Sequence, residues 1–252
     1  MAIILNKSLT CIASEAYANV PAELKAQARW CCYKNEPKPD GGKPSKVPFN
    51  PVTGKHARIN AQETLCSFDE AVAGFASGRY DGINYGFGYD EFIGIDLDNV
   101  LDKATGEFIC KEAEEIYNRF KTAGAYIEVS PSGSGLRIIC KASSPLVKFG
   151  NGRGEFSKFE IYGNGDGGLH FLSITEDVLQ AVDKLIDCTS EVNWFHETCF
   201  KKPDSSTRAW DGVMSPPLED AEIIEKMRRY KRKAEFTELF DVAVLVITAT
   251  TT

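Results

Sequence analysis

The 252-residue chain has no apolar run approaching a bilayer span, no repeated Cys-x-x-Cys pair and, within residues 1–175, no long repeat or low-complexity tract. A membrane helix needs about 20 consecutive apolar residues, so the first absence argues against a spanning protein and against membrane partners. The eight cysteines are irregularly spaced, include the adjacent pair Cys31-Cys32 and fall largely in apolar segments. They read as reduced core residues of a cytosolic protein rather than as zinc ligands or a disulfide framework. The opening Met1-Ala2-Ile3-Ile4-Leu5-Asn6 is too short and wrongly flanked for a secretory signal, which gives the same cytoplasmic expectation. Net positive charge is also lacking. The total of -7 argues at face value against nucleic acid, but the average conceals a partition along the chain. Residues 1–58 hold nine Lys/Arg against four Asp/Glu, residues 59–128 five against fourteen, and residues 129–175 five against three. Acidity thus sits between two basic segments that could carry phosphates, although solvated faces would give the same pattern.

What is present begins with Ile93-Gly94-Ile95-Asp96-Leu97-Asp98. Alternation along a strand puts Ile93, Ile95 and Leu97 on one face and Asp96 and Asp98 on the other. Neighbouring carboxylates raise each other's pKa unless a cation lies between them, so the pair suggests a divalent metal held by oxygen. A strand whose outer face merely meets water would show the same spacing. Residues Lys111 to Ala123 have helical character, with Ala113, Ile116, Tyr117 and Phe120 at helical spacing. Tyr126-Ile127-Glu128-Val129 then reads as a strand running into Ser130-Pro131-Ser132-Gly133-Ser134-Gly135 and a second apolar segment, Leu136-Arg137-Ile138-Ile139-Cys140. Such a Gly/Ser turn is either an ordinary hairpin or a place where backbone N–H groups approach a phosphate, with Arg137 as a planar bidentate donor beyond it. Glu160 supplies a third carboxylate in the short strand signal Lys158-Phe159-Glu160-Ile161-Tyr162.

In this order the motifs resemble the archaeo-eukaryotic primase superfamily, and within it the bifunctional primase-polymerases of phages and plasmids. That family combines a strand ending in Asp-x-Asp, a Ser-Pro-Ser-Gly-x-Gly-Leu-His turn, and an apolar-Glu-apolar-Tyr strand followed by a Thr-rich strand. Here these stand as Asp96-Leu97-Asp98, Ser130 to Arg137, and Phe159-Glu160-Ile161-Tyr162 leading to His170-Phe171-Leu172-Ser173-Ile174-Thr175. Upstream, Arg29-Trp30-Cys31-Cys32-Tyr33, Ser45-Lys46-Val47-Pro48-Phe49-Asn50, Phe68-Asp69-Glu70-Ala71 and Asp81-Gly82-Ile83 follow the family's N-terminal pattern, so the resemblance covers roughly 22–175.

The resemblance implies an α/β (α+β) catalytic domain: an RNA-recognition-type sheet core carrying Asp96, Asp98, Arg137 and Glu160, plus an N-terminal αβ lobe holding Lys46. It further implies template-directed nucleotidyl transfer, with Asp96, Asp98 and Glu160 holding Mg²⁺ or Mn²⁺. One ion would lower the pKa of the attacking 3′-hydroxyl and the other would stabilise the α-phosphate transition state. Lys46, Ser130, Ser132, Gly133, Gly135, Arg137 and His170 would bind the nucleoside triphosphate. The partners implied are single-stranded DNA template, nucleotides and a replicative helicase. Arg137 stands where the family carries His and His170 where it carries Arg, and the loop 163–168 is longer than the family norm. Two other functions stay open: a non-catalytic remnant that binds single-stranded DNA or nucleotide, and a metal-dependent phosphohydrolase or nuclease, although phosphatase sites resemble Asp-x-Asp-Gly-Thr whereas Asn99-Val100 follows here.

The expected organisation is a catalytic domain over 1–198, with a short helix at 179–187, then a linker at 199–218 and a partly helical extension over 219–252. A helix over 219–236 would carry Lys226, Arg228, Arg229, Lys231, Arg232 and Lys233. The segment Phe236-Thr237-Glu238-Leu239-Phe240 resembles the family's opening toward a further helical module, and the Val/Thr-rich tail 242–252 suggests a truncated or frame-shifted relative of a larger protein.

Overall fold

Alternation along 92–98 sets the architecture. Ile93, Ile95 and Leu97 point to one side of their strand and are almost wholly buried there. Phe92 and Gly94 point to the other side, where a second sheet approaches so closely that a Cβ on Gly94 would lie 2.6 Å from Leu172. A larger residue there would push Leu172 and Phe87 aside. Two residues further on, the same face carries Asp96, and the apolar contact between the sheets gives way to a cleft. The acid pair therefore marks where the core ends.

The computed structural model describes residues 17–88, 90–143, 150–152, 156–163, 168–175 and 177–200, all within one unit, Met1–Lys202. Its elements are α1 (Ala22–Lys25), β1 (Trp30–Glu36), β2 (Ser45–Phe49), α2 (Phe68–Ala76), β3 (Gly82–Phe87), β4 (Phe92–Leu97), α3 (Lys111–Ala123), β5 (Tyr126–Val129), β6 (Leu136–Lys141), β7 (Gly150–Asn151), β8 (Phe159–Gly163), β9 (His170–Ile174), β10 (Val178–Gln180) and α4 (Thr189–Cys199). A four-stranded sheet has the order β2-β1-β3-β9 and a six-stranded sheet the order β10-β5-β6-β4-β8-β7, with every named strand pair antiparallel. Because β4 and β5 both flank β6, they run parallel to each other, and β4-α3-β5 is a split β-α-β unit. This is the mixed α+β arrangement with an RNA-recognition-type centre that the motifs imply.

Two apolar layers hold the domain. The outer face of the six-stranded sheet packs Ile95, Ile138 and Ile161 against Ile116 and Phe120 of α3 and Phe195 of α4, with the Phe120 and Phe195 rings edge-on at 6.3 Å. Its inner face presents Phe92, Tyr126, Ile139 and Tyr162 to Ile83, Phe87, Leu172 and Ile174 of the four-stranded sheet. Each large side chain so buried contributes roughly 1.5–3 kcal/mol. Helix α2 opens on a capping box in which the Glu70 amide donates to Ser67 Oγ at 3.3 Å and the Ser67 amide to Glu70 Oε2 at 2.8 Å.

The structure corrects the helix expected at 179–187. That segment begins as β10 paired to β5, and its end is drawn into a parallel bridge with β6. The Lys141 amide donates to the Ile186 carbonyl at 2.9 Å and the Cys188 amide to the Lys141 carbonyl at 2.8 Å. Pairing to the sheet overrides a weak local helical preference, and the helix forms later, as α4. Cys199 and Phe200 at its end are buried in the core, two residues past the 198 boundary expected from composition. Among the described residues Cys31, Cys32, Cys66, Cys110, Cys140 and Cys188 are free thiols. The rest of the linker expected over 199–218, and the basic helix and tail expected over 219–252, lie outside the described residues, as does most of the loop 163–168.

Candidate active site

Strand register assembles the site. Glu128 on β5 stands opposite Arg137 on β6, Arg137 opposite Asp96 on β4, and Asp96 opposite Glu160 on β8. Residues directly opposite share a face about 5 Å apart, so four strands present one transverse row of charges. Arg137 is 5% exposed, and its Nε lies 3.5 Å from Asp96 Oδ1, an ion-pair distance without hydrogen-bond geometry. Its guanidinium instead donates to the backbone carbonyl of Ser173 on β9, which staples the two sheets together. Burial raises the Asp96 pKa. Arg137 opposes that shift, while Asp98 and Glu160 add to it.

Asp98, half-buried, follows β4 and lines the cleft beside Asp96. Its placement depends on the Ser/Gly hairpin. Asn99 adopts a left-handed backbone with φ 54°, and its Oδ1 accepts from Ser134 Oγ at 3.2 Å, while the Val100 and Leu101 amides both donate to the Ser134 carbonyl. Ser130 and Ser132, whose hydroxyls are 2.9 Å apart, line the cleft. The two glycines serve the hairpin itself. Gly133 turns the chain with φ 72° and its amide donates to the Ser130 carbonyl, whereas a Cβ on Gly135 would sit 2.7 Å from the Leu97 carbonyl. Neither glycine is among the residues that line the cleft.

The opposite wall comes from the four-stranded sheet. Lys46 on edge strand β2 donates from Nζ to Ser173 Oγ at 2.9 Å and lies 5.0 Å from the centre of the Tyr33 ring. Desolvation of the ammonium, reinforced by Arg137 and offset by Asp96, lowers its pKa to about 8. His170 stacks on Tyr162 with ring centroids 3.9 Å apart. Solvent reaches the residue, yet the stacking desolvates the imidazole enough to hold its pKa below the usual value.

The cleft between the walls encloses about 720 Å³ and takes in Asp96, Asp98, Arg137, Lys46, Ser130, Ser132 and His170. Glu160 stands apart. It neighbours Asp96 in register but is not among the lining residues, and Oε2 accepts from the Tyr162 hydroxyl at 2.7 Å. Among the described residues no three His, Cys, Asp or Glu side chains converge on one metal position. The donors nevertheless suit a hard divalent cation. Asp96 Oδ1 is buried without a hydrogen bond among the described residues, and Asp98 faces the same space with carboxylate oxygens. Glu160 would have to leave Tyr162 to join them.

Two groups escaped the sequence reading. Glu128 is wholly buried and accepts from the Tyr126 hydroxyl at 3.0 Å and from the Thr175 amide at 3.0 and 3.1 Å. Burial pushes its pKa up to about 8 against the pull of Arg137. The signal was a glutamate inside an apolar strand. Asn84 on β3 lines the cleft from within another apolar strand, Gly82–Phe87.

Two antiparallel sheets, few helices and a cleft that brings two aspartates together with an arginine and a lysine make an α+β domain, consistent with that of a primase-polymerase. Over 214 residues the chain is 28% identical to the protein named DNA primase-polymerase of Nitratiruptor phage NrS-1, a match covering 82% of this chain. That similarity supports assignment to the primase-polymerase family. The match takes in 27% of the relative's length, so the chain corresponds to only part of it. No protein-family model matches the chain. Among the described residues no helix is long and apolar enough to cross a membrane.

Proposed function

We propose that the chain is a metal-dependent, template-directed nucleotidyltransferase, a DNA primase-polymerase domain acting in phage, plasmid or prophage replication. One observation carries this reading: a buried aspartate oxygen without a hydrogen bond among the described residues, beside a second aspartate and an ion-paired arginine, faces a lysine across a nucleotide-sized cleft. Asp96, Asp98 and, once released by Tyr162, Glu160 would hold Mg²⁺ or Mn²⁺. Such ions, when bound, lower the pKa of a 3′-hydroxyl and neutralise charge on the transferring phosphoryl group.

The chain's own groups do the rest. Lys46, and Arg137 with whatever donors its contact to Ser173 leaves free, offset triphosphate charge in a partly desolvated site where each interaction is stronger than in water. The Ser130 and Ser132 hydroxyls offer donors at one edge, and His170 supplies a neutral imidazole at neutral pH. The substrates would be nucleoside triphosphates and a single-stranded DNA template, with a replicative helicase as a further partner.

The full chain, incubated with template, nucleotides and Mg²⁺ or Mn²⁺, should yield extension products, and Asp96→Asn or Asp98→Asn should abolish them while leaving cooperative unfolding intact. Retained synthesis in either variant would sink the metal assignment. Nucleotide or single-stranded DNA binding without turnover would favour a second reading, a binding remnant, which the Glu160–Tyr162 contact supports. Released phosphate or shortened strands would point instead to a hydrolase.

A further inference from the structure

The wall facing Asp96 and Asp98 holds a polar group that the proposed chemistry does not use. Asn84 is 3% exposed and lines the cleft, and its Oδ1 has no hydrogen-bond partner among the described residues. Strand register fixes its neighbours: Cys31 on one side, to which the Asn84 side chain hydrogen-bonds, and Ser173 on the other. Ser173 Oγ accepts from Lys46 Nζ and its hydroxyl bonds Tyr33, so Ser173 makes no bond to the Asn84 oxygen. A buried amide oxygen left without a donor destabilises a fold by about 1–3 kcal/mol, so an asparagine at this position is unfavourable for folding alone. The orphan is explained if the ligand brings the donor.

We propose that Asn84 is a specificity-determining residue whose Oδ1 accepts a hydrogen bond from a sugar hydroxyl of the bound nucleoside triphosphate. The inference rests on the nucleotide reading above and narrows it by elimination. Oδ1 can only accept, so its partner must donate. Ionised phosphates only accept, and they suit cations of the cleft such as Lys46 and Arg137. Donors on the base's pairing edge belong to the template in template-directed synthesis. The hydroxyls of the sugar are the donors that remain. A site built to hydrogen-bond a hydroxyl discriminates strongly against an analogue lacking it, because the buried acceptor is then left unpaired.

The test is equilibrium titration of the full chain, without template, using ATP, 2′-deoxy-ATP and 2′,3′-dideoxy-ATP in Mg²⁺. The wild-type chain should lose affinity by about tenfold or more at one of the two hydroxyl removals, and that step identifies the hydroxyl read. Asn84→Ala should shrink the step to under about threefold. Asn84→Asp, which keeps an acceptor oxygen, should preserve the step even where its added charge weakens all three nucleotides equally. The step, rather than absolute affinity, is the readout because a merely structural role would weaken all three ligands together. Equal wild-type binding of the three nucleotides, or a step that survives in Asn84→Ala, would overturn the assignment while leaving nucleotide binding standing. Failure of the wild-type chain to bind any of them would overturn both.

Discussion

Arg137→Met removes a charge from the middle of the transverse row while roughly keeping side-chain volume, and its cost can be worked from the contacts. Arg137 is 5% exposed and lies between the carboxylates of Asp96 and Glu128. Deleting one partner of a buried ion pair typically costs 3–5 kcal/mol, because the other charge is left uncompensated. Glu128 limits its own share. With a pKa near 8 it already carries a proton most of the time at neutral pH, so removing Arg137 strands little charge there. Asp96 has less relief, since Asp98 and Glu160 still repel it and Lys46, on the opposite wall, is tied to Ser173. The Ser173 carbonyl also loses its charged donor. The expected loss is therefore about 3 kcal/mol, at the lower end of that range. For a domain of this size about 1 kcal/mol shifts Tm by roughly 2–4 °C, so the melting point should fall by about 6–12 °C. Urea titration at pH 7 should show a lower midpoint with an unchanged slope, and adding Asp96→Asn should recover part of the loss. A cost under about 1 kcal/mol, or no recovery in the double variant, would refute the view that Arg137 is the counter-ion of this row.

The remaining predictions concern pH and the domain's end. Lys46 has its pKa depressed to about 8, so as pH rises through 8 it loses its charge and nucleotide affinity should fall. Lys46→Arg, always protonated, should flatten that fall, and an identical profile in both proteins would show that Lys46 does not face the phosphates. Glu128 has its folded pKa raised to about 8 from an ordinary value near 4.5, so its contribution to stability is fully present below about 4.5 and is lost as pH climbs to about 8. Glu128→Gln should remove that slope from a series of urea midpoints, and an unaltered slope would place its origin elsewhere. A chain ending at Thr198 loses the buried Cys199 and Phe200 and should unfold more readily, by about 3–5 kcal/mol, than one ending at Lys202. Equal midpoints for the two truncations would show that these side chains contribute little.

Much of the candidate site's layout was legible because its signals are local. The period-two alternation through Ile93, Ile95 and Leu97 put Asp96 and Asp98 on one face, and the structure keeps them there, lining one cleft. Helix α3 covers Lys111–Ala123 as its spacing implied, and the Ser/Gly turn is the hairpin between β5 and β6. The resemblance to primase-polymerases added Lys46 and His170, and both face the cleft. Failure came where distant pairing outweighed local preference. Residues 179–187 gave a weak helical pattern, but pairing to β5 and β6 took the ends of that segment into the sheet.

By itself the sequence determined which faces are apolar, where the carboxylates stand on their strands and which turns need glycine, because each follows from neighbours a few residues away. Only the tertiary structure decided what each face meets. It pairs β9 with β3 rather than with the acid-bearing sheet, which brings Ser173 to Lys46 across 127 residues and to Arg137 across 36. It also buries Glu128 against Arg137, turns Glu160 toward Tyr162 and leaves the Asn84 oxygen without a donor among the described residues. Register between strands far apart in sequence is chosen by the packing of the whole core, as between Gly94 and Leu172, and no local periodicity records that choice.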